Sequence, residues 1–423
     1  MHNNLTAKIE ARLPGPVTQL VRTVGRTAAR YGFNSYLVGG IVRDILLNRP
    51  SADIDIMIDG DAIKLARAIA DNAGARLFVH KAFGPARFDL EEYRIDLSTC
   101  RSESYDRPGA LPRVKPGDIC DDLLRRDFSI NAMALCINPT DFGVLTDLYG
   151  GVADLEGRVI RVMHDRSFED DATRIMRAVR YEQRLNFKLE RKTARLLRRD
   201  IDMLDSISGD RLKHEVLLWL TEQRPGGIIR RAGQLGVLRK LHPSLQWDRQ
   251  MQTAFRRAAK IPDSASANLI YFCLMAYQMG EGALYELLQR LNLLGSKYDL
   301  LSHQCLALKS RLPQLDRPLI KNSEIFSLVK DVEPPAVQVN WLYPNPLAVR
   351  RNLRLYLGKL MHIKTSVTGN DLVQWGLKQG PGVGTVLNKL LVARLDGEVN
   401  TRAEEENKTR AEEEKLARRL AAI

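Results

Sequence analysis

The segment Asp53-Ile-Asp-Ile-Met-Ile58 alternates between carboxylate and apolar side chains. Successive side chains of a β-strand point to opposite faces, so Asp53 and Asp55 share one face while Ile54, Ile56 and Ile58 take the other. The pattern predicts a strand that is buried on one side and keeps its other side for chemistry. Two carboxylates about 5–7 Å apart on a rigid strand can bridge divalent cations, which activate a hydroxyl and neutralise departing phosphate. A lone Asp-x-Asp is also common on ordinary solvated surfaces, so its neighbours carry the argument.

Upstream, Val38-Gly39-Gly40-Ile41-Val42-Arg43-Asp44 sets two glycines between a short strand at Tyr36–Val38 and a helix running through Arg43 to Leu47. Without a Cβ in the way, the amides of such a turn can approach phosphate oxygens, and Arg43 can clamp the same group. A plain strand-to-helix turn has the same wording. Asp96, in a strand over 92–99, is a candidate third carboxylate, acting as general base or extra metal ligand; an ion pair with Arg94 or Arg101 fits it equally. Asp127 and Asn131 stand at i, i+4, which on one helical face offers an acceptor and an amide for ribose hydroxyls, with Arg126 beside them for phosphate. A helix cap with a surface arginine is the alternative. Asp171, Arg174, Arg177 and Arg180 recur at every third position. Like charges in succession repel, so an anion is expected beside the three arginines.

Over its 423 residues the chain carries a net charge of +13, which suggests a polyanionic partner. The excess is local: residues 171–200 hold ten Lys/Arg against four Asp/Glu. Five scattered cysteines without a C-x-x-C pair argue against a zinc site or a disulfide framework, and point to a reducing, cytoplasmic setting. No secretory leader or membrane-spanning run is read, so no membrane partner is expected. To about residue 150 helices (16–31, 61–73) mix with strands (near 75–80, 85–90 and 92–99), and beyond 166 the pattern is helical, broken by glycines and prolines. The predicted division is 1–160, 161–225, 226–335 and 336–399, with a charged extension at 400–423 read as a solvated or frayed helix.

The blocks LVGGIVRD, SADIDIMI, LLRRDFSINAMAL and DDATRIMRAVRY, with DLYGGVADLEGRVIRV between the last two, resemble the class II tRNA nucleotidyltransferase and bacterial poly(A) polymerase family. The resemblance is close over residues 30–200 and looser to about 240. It implies an α+β protein: a polymerase-β-like head, then helical neck, body and tail. It further implies template-independent addition of CCA, or its terminal part, to the 3′ end of tRNA from CTP and ATP, with Mg2+ and release of pyrophosphate. An A-adding enzyme or poly(A) polymerase using ATP alone is the alternative, and a non-catalytic RNA-binding protein a further one; oligomeric state is left open.

By the same resemblance, Asp53 and Asp55 hold the metals. Gly39, Gly40 and Arg43 contact the triphosphate, and Arg126, Asp127 and Asn131 serve ribose and phosphate. Asp171 and Arg174 read the base, supported by Arg177 and Arg180. The chemistry of that pair follows independently. An Asp acceptor suits the exocyclic amine of cytosine or adenine and an Arg donor suits the adjacent ring nitrogen, whereas uracil and guanine leave groups unpaired. Asp170 stands where the family has Glu, and the His-Asp phosphohydrolase motif of some relatives is absent. The loop Arg101–Arg113 resembles the flexible loop that helps the site change from C to A; an ordinary surface loop is the other reading. In the last third, the basic run Arg350–Lys359 and the turn Gly380-Pro-Gly-Val-Gly384, ahead of a helix at Thr385–Leu395, suggest a sequence-independent hold on RNA phosphates, with a tight turn beside a basic surface as the alternative.

Overall fold

The computed structural model describes residues 4–51, 53–73, 77–79, 86–90, 93–107, 109–110, 112–261 and 266–421. The chain forms two compact units: Met1–Trp219 with Arg231–Lys240, and Leu220–Arg230 with Leu241–Ile423. The first opens with helices α1 (Thr6–Arg12) and α2 (Gly15–Arg30), then β1 (Asn34–Val38), α3 (Gly40–Leu46), β2 (Asp53–Asp59) and α4 (Ala62–Ala73). Strands β3 (Leu77–Val79), β4 (Ala86–Leu90) and β5 (Tyr93–Thr99) follow, then a hairpin of β6 (Arg101–Ser104) and β7 (Arg113–Pro116). Helix α5 (Ile119–Leu124) leads to β8 (Met133–Cys136) and β9 (Leu145–Asp147). Of the predicted strand over 75–80, Leu77–Val79 are seen; its other residues lie outside the described ones, as does Pro262 among the predicted breaks.

Seven strands make one sheet in the order β3-β4-β5-β2-β1-β8-β9. Only β2 and β5 run parallel; the other neighbours are antiparallel. The alternation in β2 does what the sequence demanded: Ile54, Ile56 and Ile58 are sealed, at 0–1% exposed. Helices α2 and α4 pack against the sheet and each other. Met57 lies on the carboxylate side, where it joins Val38, Ala134, Cys100 and Leu123 in a small cluster. Leu123 comes from α5, which therefore covers part of the carboxylate face. Though short, α5 has a complete capping box: the Asp118 side chain takes the Asp121 amide, and the Asp121 side chain takes that of Asp118.

Helices α6 (Gly151–Glu156), α7 (Ser167–Asp170), α8 (Thr173–Leu185), α9 (Arg191–Arg199) and α10 (Gly209–Thr221) complete this unit. The α8 residues Ile175, Met176 and Val179 are fully buried, and Trp219 of α10 donates its indole N–H to the Met176 carbonyl at 3.0 Å.

The second unit is helical throughout. Its longest helix in the interior, Lys297–Leu315, packs with Ala267–Ala276, Pro334–Leu342 and Leu347–Gly358. Buried Asn340 ties them by accepting from the Tyr277 hydroxyl at 2.6 Å and donating to the Cys305 and Ala336 carbonyls. Two expectations change here. The helix expected at Thr385 begins at Pro381, so Gly382 and Gly384 lie inside it. The charged tail forms a helix, Arg402–Ala421, whose first turns are docked and not merely solvated: Glu405 is fully buried and accepts the Ser366 and Val367 amides. Among the described residues, no helix is long and apolar enough to cross a membrane.

A close approach between α2 and the end of β8 gives a direct test. A Cβ on Gly25, in the middle of α2, would lie 1.9 Å from the Ile137 carbonyl oxygen. Alanine normally favours a helix interior by about 1 kcal/mol over glycine, yet overpacking against backbone costs about 1–3 kcal/mol or more. Gly25→Ala should therefore lower the urea midpoint of the first unit by several tenths molar; an unchanged or raised midpoint contradicts this packing.

Candidate active site

The glycine turn is built as the sequence suggested, for a reason it did not show. Gly39 has φ 75° and ψ −131°, a backbone that side-chain-bearing residues rarely adopt. A Cβ there would sit 2.5 Å from Nη1 of Arg126 and 3.7 Å from a carboxylate oxygen of Asp55. The turn thus lets Arg126 lie against the main chain beside the carboxylates. At Gly40, the nearest atom to a Cβ would be Arg43 Nη2, at 3.5 Å.

Asp53 and Asp55 share the face left open beside α5. In the parallel register Asp55 stands level with Asp96 of β5. Crowding by the surrounding protein pushes the Asp55 carboxyl above its ordinary value of 3.8, Arg126 pulls against this, and the charges of Asp96 and Asp53 add to the rise. Asp96 itself is held by Arg87 of β4, with Nε and Nη2 at 2.7 and 3.1 Å. The ion-pair reading is therefore present, with Arg87 as partner in place of Arg94 or Arg101. Among the described residues, no three His, Cys, Asp or Glu side chains are gathered as a ready metal group.

The helix expected to carry Asp127 and Asn131 is absent. Phe128 is extended and only Ser129–Asn131 turn, as a single 3-10 turn. The two side chains nevertheless meet, Asn131 Nδ2 donating to Asp127 Oδ1 at 2.9 Å. The same oxygen takes the Phe128 amide, while Oδ2 takes Nε and Nη2 of Arg177 at 2.9 and 2.7 Å. Four donors saturate this carboxylate, so a ribose hydroxyl could enter only by exchange. Burial raises its pKa, but Arg177 and Asn131 more than offset this and hold Asp127 below the usual carboxylate range. Asn131 Oδ1 in turn accepts from Nη1 of Arg43 at 2.7 Å, and the rest of that guanidinium lies on Asp44 at 2.9 Å twice.

Two of the three arginines of the α8 ridge are neutralised by protein carboxylates, so at Arg177 and Arg180 the spacing does not require an outside anion. Arg177 pairs with Asp127 and, at 3.5 Å, with Glu215; Arg180 pairs with Glu215 at 3.3 Å. Arg43, Arg177 and Arg180 also lie 5.3, 5.5 and 5.3 Å from the centre of the Tyr181 ring, an arrangement the ring's negative face favours. Arg174 is held by the Ser167 hydroxyl at 2.9 Å and the Arg125 carbonyl at 2.7 Å. At least two of its five N–H groups remain. Asp171 has one oxygen held three ways, by the Thr173 amide and hydroxyl and by Arg211 at 2.6 Å; the other has no protein partner among the described residues.

Asp53, Asp55, Gly39, Gly40, Arg43, Arg126, Asp127, Asn131, Asp171, Arg174 and Arg177 all border one cavity of about 530 Å³. Asp96 and Arg180 do not line it. Sequence reasoning gave no role to Tyr181, Arg125 or Thr173, which do; Glu103 and Tyr105, which also do, fall in the loop Arg101–Arg113 that it named. Tyr105 and Pro112 belong to the loop between β6 and β7, of which Pro108 and Leu111 lie outside the described residues. Buried Asp122, which pairs with both Arg125 and Arg126, was also missed; its i, i+3 and i, i+4 spacing to them was the available signal.

Residues 35–161 match the poly A polymerase head domain, and residues 186–248 match a module described as a probable RNA and SrmB-binding site of polymerase A. The A-adding tRNA nucleotidyltransferase of Geobacter sulfurreducens is 33% identical over 93% of this chain and 47% of its own length. The chain thus spans about half the length of that relative. A solved CCA-adding enzyme in an apo form is 30% identical, with TM-score 0.79, over 97% of both chains. The Thermotoga maritima CCA-adding enzyme complexed with tRNA is 29% identical, with TM-score 0.79, over 97% of this chain and 98% of that one.

The two glycines should not be equivalent. Gly39→Ala strains the backbone by about 1–3 kcal/mol and drives Arg126 away from Asp55, whereas Gly40→Ala meets little. The thermal midpoint of the first unit should fall far more in Gly39→Ala than in Gly40→Ala, and equal effects would contradict the geometry of this turn.

Proposed function

Because the chain belongs to the class II tRNA nucleotidyltransferase and bacterial poly(A) polymerase family, we propose that it adds CCA, or the terminal part of CCA, to the 3′ end of tRNA from CTP and ATP, with no nucleic-acid template. The support lies in one cavity with two kinds of wall: the carboxylates Asp53 and Asp55 on the first, the Asp171–Arg174 edge on the second. One wall suits phosphate chemistry and the other suits a base.

Asp53 and Asp55 fit a divalent cation such as Mg2+. Their donors are hard carboxylate oxygens; burial lifts the Asp55 carboxyl and the charges of Asp96 and Asp53 add to the rise, a load of negative charge that a cation would offset. A bound cation would polarise the attacking hydroxyl and offset triphosphate charge. The terminal RNA hydroxyl forms a new P–O bond at the α-phosphorus as the bond to pyrophosphate breaks. Arg126 at the glycine turn, with Arg43 behind it, accepts the phosphate charge, and the Gly39–Gly40 amides approach the same oxygens. Asp127, with its four bonds made, serves by holding Arg177 and Asn131, and through Asn131 it holds Arg43.

Base choice falls to the unpartnered oxygen of Asp171 and the remaining N–H groups of Arg174. The oxygen accepts from the amine of cytosine or adenine, and the guanidinium donates to the ring nitrogen beside it. Uracil and guanine would leave both protein groups facing like partners, a mismatch that can cost 10⁴-fold or so. Addition of A alone is the second reading, favoured by the A-adding Geobacter relative. Magnesium as the cation and the cytoplasm as the setting belong to the proposal as well.

Purified chain should be incubated with tRNA ending before CCA, after C, or after CC, with each of the four nucleotides in turn. CTP and ATP used in order supports CCA addition, ATP used only after CC supports A addition, and no incorporation anywhere rejects the proposal. In Asp171→Ala and Arg174→Ala the preference for C and A should relax by roughly a hundredfold; a uniform slowing with the preference intact would make these residues scaffold.

Cation dependence has a pH sign. A proton competes with the cation at Asp55, whose carboxyl is raised above 3.8. The Mg2+ concentration for half-maximal turnover should therefore climb as pH falls, from a higher pH than an ordinary aspartate would give. Asp53→Ala and Asp55→Ala should lose turnover while retaining tRNA binding in a filter assay, and substantial turnover in either removes the pair from the reaction.

A further inference from the structure

Asp122 has no exposed surface and is assigned no role by the reaction as derived so far. It lies in the last turn of α5, three and four residues before the arginine pair, and its carboxylate is shared between them. Oδ1 takes Nε and Nη2 of Arg125 at 2.9 and 2.6 Å; Oδ2 takes Nε and Nη2 of Arg126 at 3.3 and 2.8 Å. Every lone-pair position is used. The two arginines then part company. Arg126 extends Nη1 to the glycine turn beside Asp55. The Arg125 carbonyl holds Nη2 of Arg174 at 2.7 Å, and its guanidinium reaches Glu103 of β6 at 3.1 Å.

We propose that Asp122 is a positioning residue that sets the phosphate-side arginine and the base-reading arginine together. The inference rests on the nucleotidyltransferase reading given above. Two fixed forks leave one buried anion, so neither guanidinium can swing without the carboxylate turning, and a turn displaces the other. Leu123, fully buried in the cluster with Val38 and Met57, locks α5 to the sheet and gives the anion a rigid base. The chemistry at the carboxylates and the choice of base are thereby tuned by one side chain that touches neither substrate nor cation.

An isosteric amide tests this. In Asp122→Asn one fork still meets an oxygen, but the other faces an –NH2 group, donor against donor. Wild type and variant are compared for secondary structure, tRNA affinity, kcat and KM for CTP and ATP, and incorporation of all four nucleotides. The variant should bind tRNA as wild type does, lose roughly 10–100-fold in kcat, and misincorporate U and G at an increased rate. Glu182→Gln serves as control: it breaks the similarly buried pair with Arg231 in the same unit, and should lower thermal stability without relaxing base choice. Should Asp122→Asn not fold, Arg125→Lys carries the test. It spares Arg126 but loses the bidentate grip, so selectivity should relax while cation-dependent turnover persists. A folded Asp122→Asn that keeps both rate and selectivity, or changes only one of them, overturns the inference, as does an Arg125→Lys with unaltered selectivity. A wild-type chain inert toward CTP and ATP overturns the underlying reading instead.

Discussion

Arg177, 31% exposed at its side chain, meets the buried carboxylate of Asp127 at 2.7 Å, and the walls of the cavity depend on that contact. One side belongs to α8, the other to the segment that follows α5. A guanidinium withdrawn from water needs a carboxylate at bonding distance, and removing one partner of such a pair costs about 3–5 kcal/mol. The requirement repeats through the site: Asp44 for Arg43, Asp122 for Arg125 and Arg126, Glu215 for Arg180. Each anion fixes a cation, and of these cations all but Arg180 face the cavity. The position of α8 relative to the sheet is therefore set by charge compensation as well as by apolar packing.

The same economy explains how so many arginines converge without a ligand. Every one of Arg43, Arg126, Arg174 and Arg177 has a protein acceptor, and Tyr181 offers its π face to three guanidinium groups at once. Donors already oriented toward the place where charge will develop need not reorganise during the reaction, which is where fixed dipoles gain over water. Asp171 shows the principle on a smaller scale. One oxygen is pinned by Thr173 and Arg211 so that the other is presented to the cavity.

What was misread in the sequence shares a cause. The i, i+4 spacing of Asp127 and Asn131 suggested a helical face, but Phe128 between them is extended because its ring must reach the core, where it lies edge-on to Tyr181 at 5.8 Å. The two side chains meet across a 3-10 turn instead. Asp96 was given Arg94 or Arg101 as possible partners because they are close in sequence; its actual partner, Arg87, is supplied by the antiparallel register of β4 with β5. The arginine ridge suggested a missing anion because Glu215 lies far along the chain. In each case a local period was visible and a long-range partner was not.

The sequence by itself determined the strand of alternating aspartate and isoleucine, the glycine turn before it, the helix that carries Arg174, Arg177 and Arg180, and the mixed-then-helical order of the chain; Asp171 stands just before that helix in extended backbone. These follow from periods of two and of 3.6 residues and from backbone that only glycine adopts, all of them local properties. The tertiary structure alone decided which acceptors answer which arginines, because they are assigned by strand order, register and helix packing across long distances in sequence, 50 residues from Asp127 to Arg177 and 88 from Arg43 to Asn131. It also decided why Gly39 is needed: the atom that excludes a Cβ belongs to Arg126, and only the folded chain brings the two together.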